Sequence, residues 1–206
     1  MIKLRRLGRV AYEPTWRAMQ AFTQSRGPGT CDEIWLLEHP PVFTLGLAGR
    51  HEHVLAAGDV AVVRTDRGGQ VTFHGPGQAV AYVLLDLRRM GVGVKELVRR
   101  LEESALAVLD QYGIRGERVS GRPGVYVDGR KVAAVGLRVA RGCSYHGLAL
   151  NVDLSLEPFS RIDPCGYPGL ESTSLALLGV RDSIDAVQQR LAAALGRILA
   201  AQALPA

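Results

Sequence analysis

Asp128-Gly129 stands between two runs of β-forming residues, Val125-Tyr126-Val127 and Val132 to Val139. An Asp-Gly pair supplies both left-handed positions of a two-residue turn, so it predicts an antiparallel hairpin and sets its register. Arg141-Gly142 supplies a second turn and leads to a third strand, Gly147 to Val152. Strands joined by turns this short must be neighbours in one antiparallel sheet. Arg118 to Leu154 therefore reads as all-β, and the rest of the chain must fold around that meander.

The flanking segments mix helices with strands. Met1 to Val10 reads as a short basic strand. Pro14, followed by Trp16, Met19 and Phe22, predicts a helix with proline in its first turn, ended by Gly27-Pro28-Gly29. Glu33 to Glu38 is a strand; Pro40-Pro41 bends the chain, and Val42 to Leu45 and Val60 to Arg64 are further extended pieces. Arg67 to Gln78 reads as a glycine-rich loop, and Ala79 to Leu87 as an apolar strand buried on both faces. Val94, Leu97, Val98, Leu101, Ala105, Val108, Leu109 and Tyr112 recur at helical spacing, an amphipathic helix stopped by Gly113. Pro158 to Glu171 reads as irregular. Asp182 or Ser183 caps a last helix that turns Ile184, Val187, Leu191, Leu195 and Ile198 inward. Three helices on a mixed, largely antiparallel sheet make an α+β fold.

With 206 residues, 47% of them hydrophobic, the chain fits a single domain over residues 1–206 with a sizeable core. No run approaches the ~18 apolar residues of a membrane span, and no apolar run follows the basic residues at the N-terminus as a secretory signal requires. Three cysteines, at 31, 143 and 165, are too few and too scattered for a disulfide framework or structural zinc. Free thiols point to a reducing compartment, the cytoplasm. The net charge of +5 comes largely from arginine. It implies an acidic partner, but aromatic residues at 6% are thin for stacking on nucleic acid bases.

Four features carry candidate chemistry. Cysteine is the side chain best suited to acyl transfer. Cys165 is held between Pro164 and Gly166 within Ile162-Asp163-Pro164-Cys165-Gly166-Tyr167-Pro168-Gly169, where proline stiffens the backbone and glycine admits a close ligand. The plainer reading is a small buried cysteine in a turn. Arg67-Gly68-Gly69-Gln70-Val71-Thr72-Phe73-His74-Gly75-Pro76-Gly77-Gln78 is either a cradle of backbone N–H groups or a crossing between strands; it is neither a P-loop nor a dinucleotide fingerprint. Lys131, just past the hairpin turn, is either solvated or aimed inward at a thiol, where its charge favours thiolate. His146 opens the third strand, as a ligand or as a hydrogen-bonded core histidine.

Four stretches in this order resemble the lipoyl(octanoyl) transferase family of lipoate biosynthesis: residues 67–78; Gly129-Arg130-Lys131-Val132-Ala133-Ala134-Val135-Gly136; His146-Gly147-Leu148-Ala149-Leu150-Asn151-Val152; and Phe159-Ser160-Arg161-Ile162-Asp163-Pro164-Cys165-Gly166. His39-Pro40-Pro41-Val42-Phe43-Thr44-Leu45-Gly46 also fits. The resemblance implies the fold of biotin and lipoate protein ligases. It implies transfer of an octanoyl group from octanoyl-acyl carrier protein to a lysine of apo lipoyl domains, those of 2-oxoacid dehydrogenases and the glycine cleavage H protein. Cys165 matches the acyl-thioester nucleophile and Lys131 the lysine that lowers its pKa and moves its proton. Arg67, Gly68, Gly69, Gln70, Val71, Thr72, Phe73, His74, Ala134, Val135, Gly136, Gly147, Leu148 and Ala149 match substrate contacts. Small residues at 134, 136, 147 and 149 would leave room for the acyl chain. No cofactor, metal, nucleic acid or membrane partner is implied. The competing readings are an ATP-dependent lipoate ligase, a protein-to-protein octanoyl amidotransferase, and a non-enzymatic acyl or nucleic-acid binder.

Overall fold

The computed structural model describes residues 2–163 and 169–200. The meander forms as its turns require. Asp128 and Gly129 have φ of 50° and 75°, Arg141 and Gly142 of 55° and 80°, and both pairs close tight hairpins. They join β8 (Arg122–Val127), β9 (Arg130–Ala140) and β10 (Cys143–Asn151). β10 begins at Cys143, four residues before the predicted Gly147, because a two-residue turn puts Cys143 directly opposite Ala140 and pairing starts at once.

On its other edge β10 pairs antiparallel with β6 (Gln78–Leu84), which pairs with β2 (Asp32–Glu38); β1 (Ile2–Arg9) adds to β2 in parallel. With β7 (Glu117–Val119) on β8, the large sheet has the order β1-β2-β6-β10-β9-β8-β7. β6 is central, so its alternating residues face two cores. Ala79, Ala81 and Val83 pack with α3 (Val94–Gln111) and α4 (Ile184–Ala200), while Val80, Tyr82 and Leu84 pack with Met19 of α1 (Tyr12–Ser25). Ser183 caps α4, its hydroxyl accepting from the Ala186 N–H at 3.3 Å.

Four expectations need correction. The stretch 67–78 is not all loop: Val71–His74 form β5, which pairs with β3 (Val42–Leu45), and β4 (Val62–Arg64) completes a small second sheet. Glycines on both sides of those four residues hide the strand in the sequence. The central strand stops at Leu84 rather than Leu87, because the Asp86 carboxylate accepts from the Arg89 N–H and starts a one-turn helix, α2 (Leu87–Met90). There are therefore four α-helices among the described residues instead of three. The strand expected over 60–64 is also shorter, starting at Val62.

One of the two tightest backbone approaches among the described residues lies between β6 and β10. A Cβ on Gly147 would sit 2.1 Å from the Ala81 carbonyl oxygen, so any side chain there forces two central strands apart. Gly147→Ala is expected to destabilise the chain by about 3 kcal/mol or more. Gly27→Ala, where nothing lies within 4 Å, should stay within about 1 kcal/mol. Urea unfolding of both variants checks the contrast, and equal losses would contradict it.

Candidate active site

β5, β6, β9 and β10, with the first turn of α1 and the start of α3, enclose a cavity of about 420 Å³. Lys131 stands on its wall and is only 6% exposed. A β-bulge in β9 just after it breaks the alternation: Tyr126 pairs with Lys131 and Val125 with Ala133, which leaves Val132 as the extra residue. Its side chain passes Gly124, where an added Cβ would lie 3.3 Å from Lys131 Cε and 2.5 Å from the Ala133 carbonyl. Lys131 Nζ donates to the Pro123 carbonyl at 3.2 Å and lies 5.2 Å from the Tyr126 ring centroid. The side chain is buried rather than solvated.

Lys131 also ties down the segment after residue 168. Its N–H donates to the Glu171 carbonyl and its carbonyl accepts from the Thr173 N–H, both at 2.9 Å. On the other side of the undescribed stretch, the Asp163 N–H donates to the His53 carbonyl at 2.9 Å. Cys165 lies outside the described residues. Of the other cysteines, Cys31 is exposed and Cys143 is buried, and neither lines the cavity. Burial pushes the Cys143 thiol up.

Of the residues matched to substrate contacts, all but Phe73 line the cavity. Phe73 turns away into a small aromatic core with Phe43 and Phe159. The small residues also serve the backbone. The space beside Gly136 is taken by the Gly68 carbonyl (3.1 Å) and the Arg67 side chain, and that beside Gly147 by β6, so neither is simply room left for a chain. The glycine-rich stretch is a crossing with its own partners. Gly68 N–H donates to the Leu137 carbonyl (2.8 Å) and Gly77 N–H to the Glu38 carboxylate (2.7 Å). Arg67 holds it, donating to the carbonyls of Thr44 (2.6 Å), Gly68 (3.0 Å) and Gln70 (2.8 Å).

His146 is fully buried on the cavity wall with φ of 60°, a left-handed conformation that costs about 1 kcal/mol or more outside glycine. Its Nε2 bonds Asp66 Oδ1 at 3.0 Å. Asp66 also accepts from Trp16 (2.8 Å), Gln20 (3.1 Å) and the Tyr145 hydroxyl. Burial alone would raise the Asp66 carboxyl; bonds from His146, Tyr145 and Gln20 outweigh it and hold the group well below the usual carboxylate range. Burial and the Asp66 bond push Tyr145 up to about 12, and burial lowers His146.

Tyr12, Asp66, Tyr82 and Ser172 also belong to the site or brace it, and no motif singles them out; Gln78 and Asn151 lie within the matched stretches but outside the substrate contacts these imply. Gln78 and Asn151 left a signal, as polar residues at the ends of apolar strands. Tyr12 and Asp66 arrive by tertiary packing and left none.

Residues 11–196 match the lipoyl protein ligase A/B catalytic domain. The octanoyltransferase of Thiobacillus denitrificans is 59% identical over 196 residues, which cover 95% of this chain and 90% of that protein. Among solved structures, the chain is similar to the bipartite lipoate protein ligase of Thermoplasma acidophilum (TM-score 0.75, 15% identity, 97% of this chain and 84% of that one). It is also similar to the biotin protein ligase of Aquifex aeolicus (TM-score 0.60, 14% identity, 96% and 70%).

Burial lowers His39 to about 4 and His74 to about 3. Below pH 6.5 the unfolded chain takes up protons that the folded chain refuses. Stability should therefore fall as the pH drops from about 6.5 toward 4, by about 2 kcal/mol per histidine at pH 5. Urea midpoints at pH 7, 6 and 5 read this directly, and a flat series would contradict neutral, buried rings.

Proposed function

Because the chain belongs to the lipoyl protein ligase A/B catalytic domain family, among its octanoyltransferases, and is thus an acyltransferase of lipoate biosynthesis, we propose that it moves octanoyl from acyl carrier protein to a lipoyl-domain lysine through a thioester on Cys165. The observation that carries this reading is the buried Lys131 amine on the wall of a largely apolar cavity, its backbone holding the segment that follows Cys165 in the chain. A buried amine of this kind exchanges protons where an arginine would not.

In the first step the Cys165 thiolate attacks the donor thioester carbonyl. A new C–S bond forms, the donor's C–S bond breaks, and the carrier's thiol leaves with a proton from Lys131. In the second, the acceptor lysine amine attacks the Cys165 thioester. A C–N bond forms, the C–S bond breaks, and Lys131 takes back the proton that the amine releases. One thioester replaces another at little net cost, and the final amide lies downhill, so ATP is not required. The apolar wall favours the acyl chain by roughly 0.8 kcal/mol per buried CH₂. Gly68 and Gly77 N–H groups already have partners within the chain, which weighs against the phosphate cradle that an ATP-dependent ligase would place there. The acidic carrier and lipoyl domains suit a chain of charge +5.

Incubation with octanoyl-acyl carrier protein should give a hydroxylamine-sensitive mass adduct that passes to an apo lipoyl domain. Cys165→Ala should form no adduct, and one that persists overturns the nucleophile. Lys131→Arg keeps the charge but cannot shuttle the proton, and should slow transfer by about 10²-fold or more. Near-normal transfer by that variant removes proton transfer from Lys131, and pyrophosphate release would favour the ligase reading instead.

A further inference from the structure

The polar side chains on the cavity floor form one chain of hydrogen bonds whose direction is set from its far end. The Thr173 carbonyl can only accept, so Asn151 turns Nδ2 toward it, at 2.9 Å. Asn151 therefore presents Oδ1 to Gln78, whose Nε2 donates to it at 3.0 Å. The Phe73 carbonyl, 3.2 Å from the same Nε2, fixes the Gln78 amide independently. Gln78 is left with Oε1 toward His74, 2.7 Å from Nδ1. An amide oxygen cannot donate, so the proton shared in that contact belongs to His74 Nδ1.

The ring carries that proton alone. Burial, seconded by His39, Arg67 and His146 around it, disfavours a second one. His74 lines the cavity, and with Nδ1 committed to Gln78 its remaining nitrogen, Nε2, is a lone-pair acceptor without a hydrogen. Such an atom cannot stabilise the oxygen of a thioester or of the tetrahedral intermediate, which requires donors. It suits a ligand group that brings an N–H. Of the two partners in the proposed reaction, the acceptor lysine brings its N–H to the reacting centre.

We propose that His74 Nε2 accepts a hydrogen bond from the amine of the incoming lysine, and that Gln78 and Asn151 are positioning residues that act through it by fixing its tautomer. This deepens the octanoyl-transfer reading and rests on it, assigning the ring to the second half-reaction. The same segment closes both ends of the arrangement: the Thr173 carbonyl starts the chain of hydrogen bonds, and the Thr173 N–H donates to the Lys131 carbonyl at 2.9 Å.

Two measurements on the full chain test this. Long-range proton–nitrogen NMR of histidine-labelled protein at pH 7, with His74 assigned by the signal lost in His74→Gln, should show a protonated Nδ1 and a bare Nε2. A protonated Nε2 overturns the proposal without any substrate present. The second measurement separates loading from octanoyl-acyl carrier protein and transfer to an apo lipoyl domain by mass spectrometry. His74→Phe and Gln78→Leu should slow transfer by about tenfold or more, the worth of one hydrogen bond, while loading changes by less than about threefold. His74→Gln, whose amide oxygen can replace Nε2, should transfer faster than His74→Phe. Equal slowing of loading and transfer overturns this assignment and leaves octanoyl transfer standing. Wild-type protein that never loads octanoyl overturns both.

Discussion

The pairing of β10 with β6 on one edge and β9 on the other is the constraint on which the rest depends. All nine residues of β10 are buried, and its backbone pairs with those two strands in registers that set Gly147 opposite Tyr82 of β6 and Gly136 of β9. A one-residue slip would send Gly147, Ala149 and Asn151 to the helix side and bring Leu150 to the cavity side. The close approach at Gly147 and the two tight turns hold the register from three points. What the cavity contains is therefore decided by sheet pairing before any side chain meets a ligand.

Holding that register lets the structure bury polar groups that would otherwise be expensive. His39, His74, Gln78, Asn151 and His146 are all buried. An unsatisfied polar group in such a place costs about 1–3 kcal/mol, and here each finds a partner fixed to a strand or helix. His39 donates from Nδ1 to the Val10 carbonyl at 2.6 Å and leaves Nε2 to accept from the Tyr82 hydroxyl at 2.7 Å. Asp66 gathers donors from α1 and β10. A network in which each of these side chains has a fixed partner leaves each ring one orientation and one tautomer.

How much of this the sequence discloses depends on the range of the interaction. The meander is legible because Asp128-Gly129 and Arg141-Gly142 act locally. The long helices are legible because their apolar period spans several turns. β5 is not, since four residues between glycines are too short a pattern and its partner β3 lies about thirty residues earlier in the chain. The family motifs fall on the wall of one cavity, yet room for an acyl chain is not the whole reason Gly136 is small: it yields to Gly68 and Arg67. Asp66 and His146, eighty residues apart, form their pair only because the fold brings the loop before β5 against β10. No local pattern encodes that meeting.

Arg67 and Lys131 both line the cavity, and their chemistries suit them to different tasks. A guanidinium presents several donors in a rigid plane and keeps its charge at any pH the fold survives. Arg67 spends its donors on the carbonyls of Thr44, Gly68 and Gln70 and on the Thr44 hydroxyl, so its charge pins the glycine-rich crossing against β3. Lys131 offers a single nitrogen on a flexible stem, steered past Gly124 and over Tyr126 toward the Pro123 carbonyl. An amine so placed can give up a proton and regain it without disturbing the backbone contacts that hold its strand. Exchanging the two would fail at both ends: lysine cannot span three carbonyls, and arginine could not deliver the proton that the proposed reaction asks of Lys131. The wall therefore holds one cation whose donors maintain its shape and a second whose single nitrogen is left to the proposed chemistry.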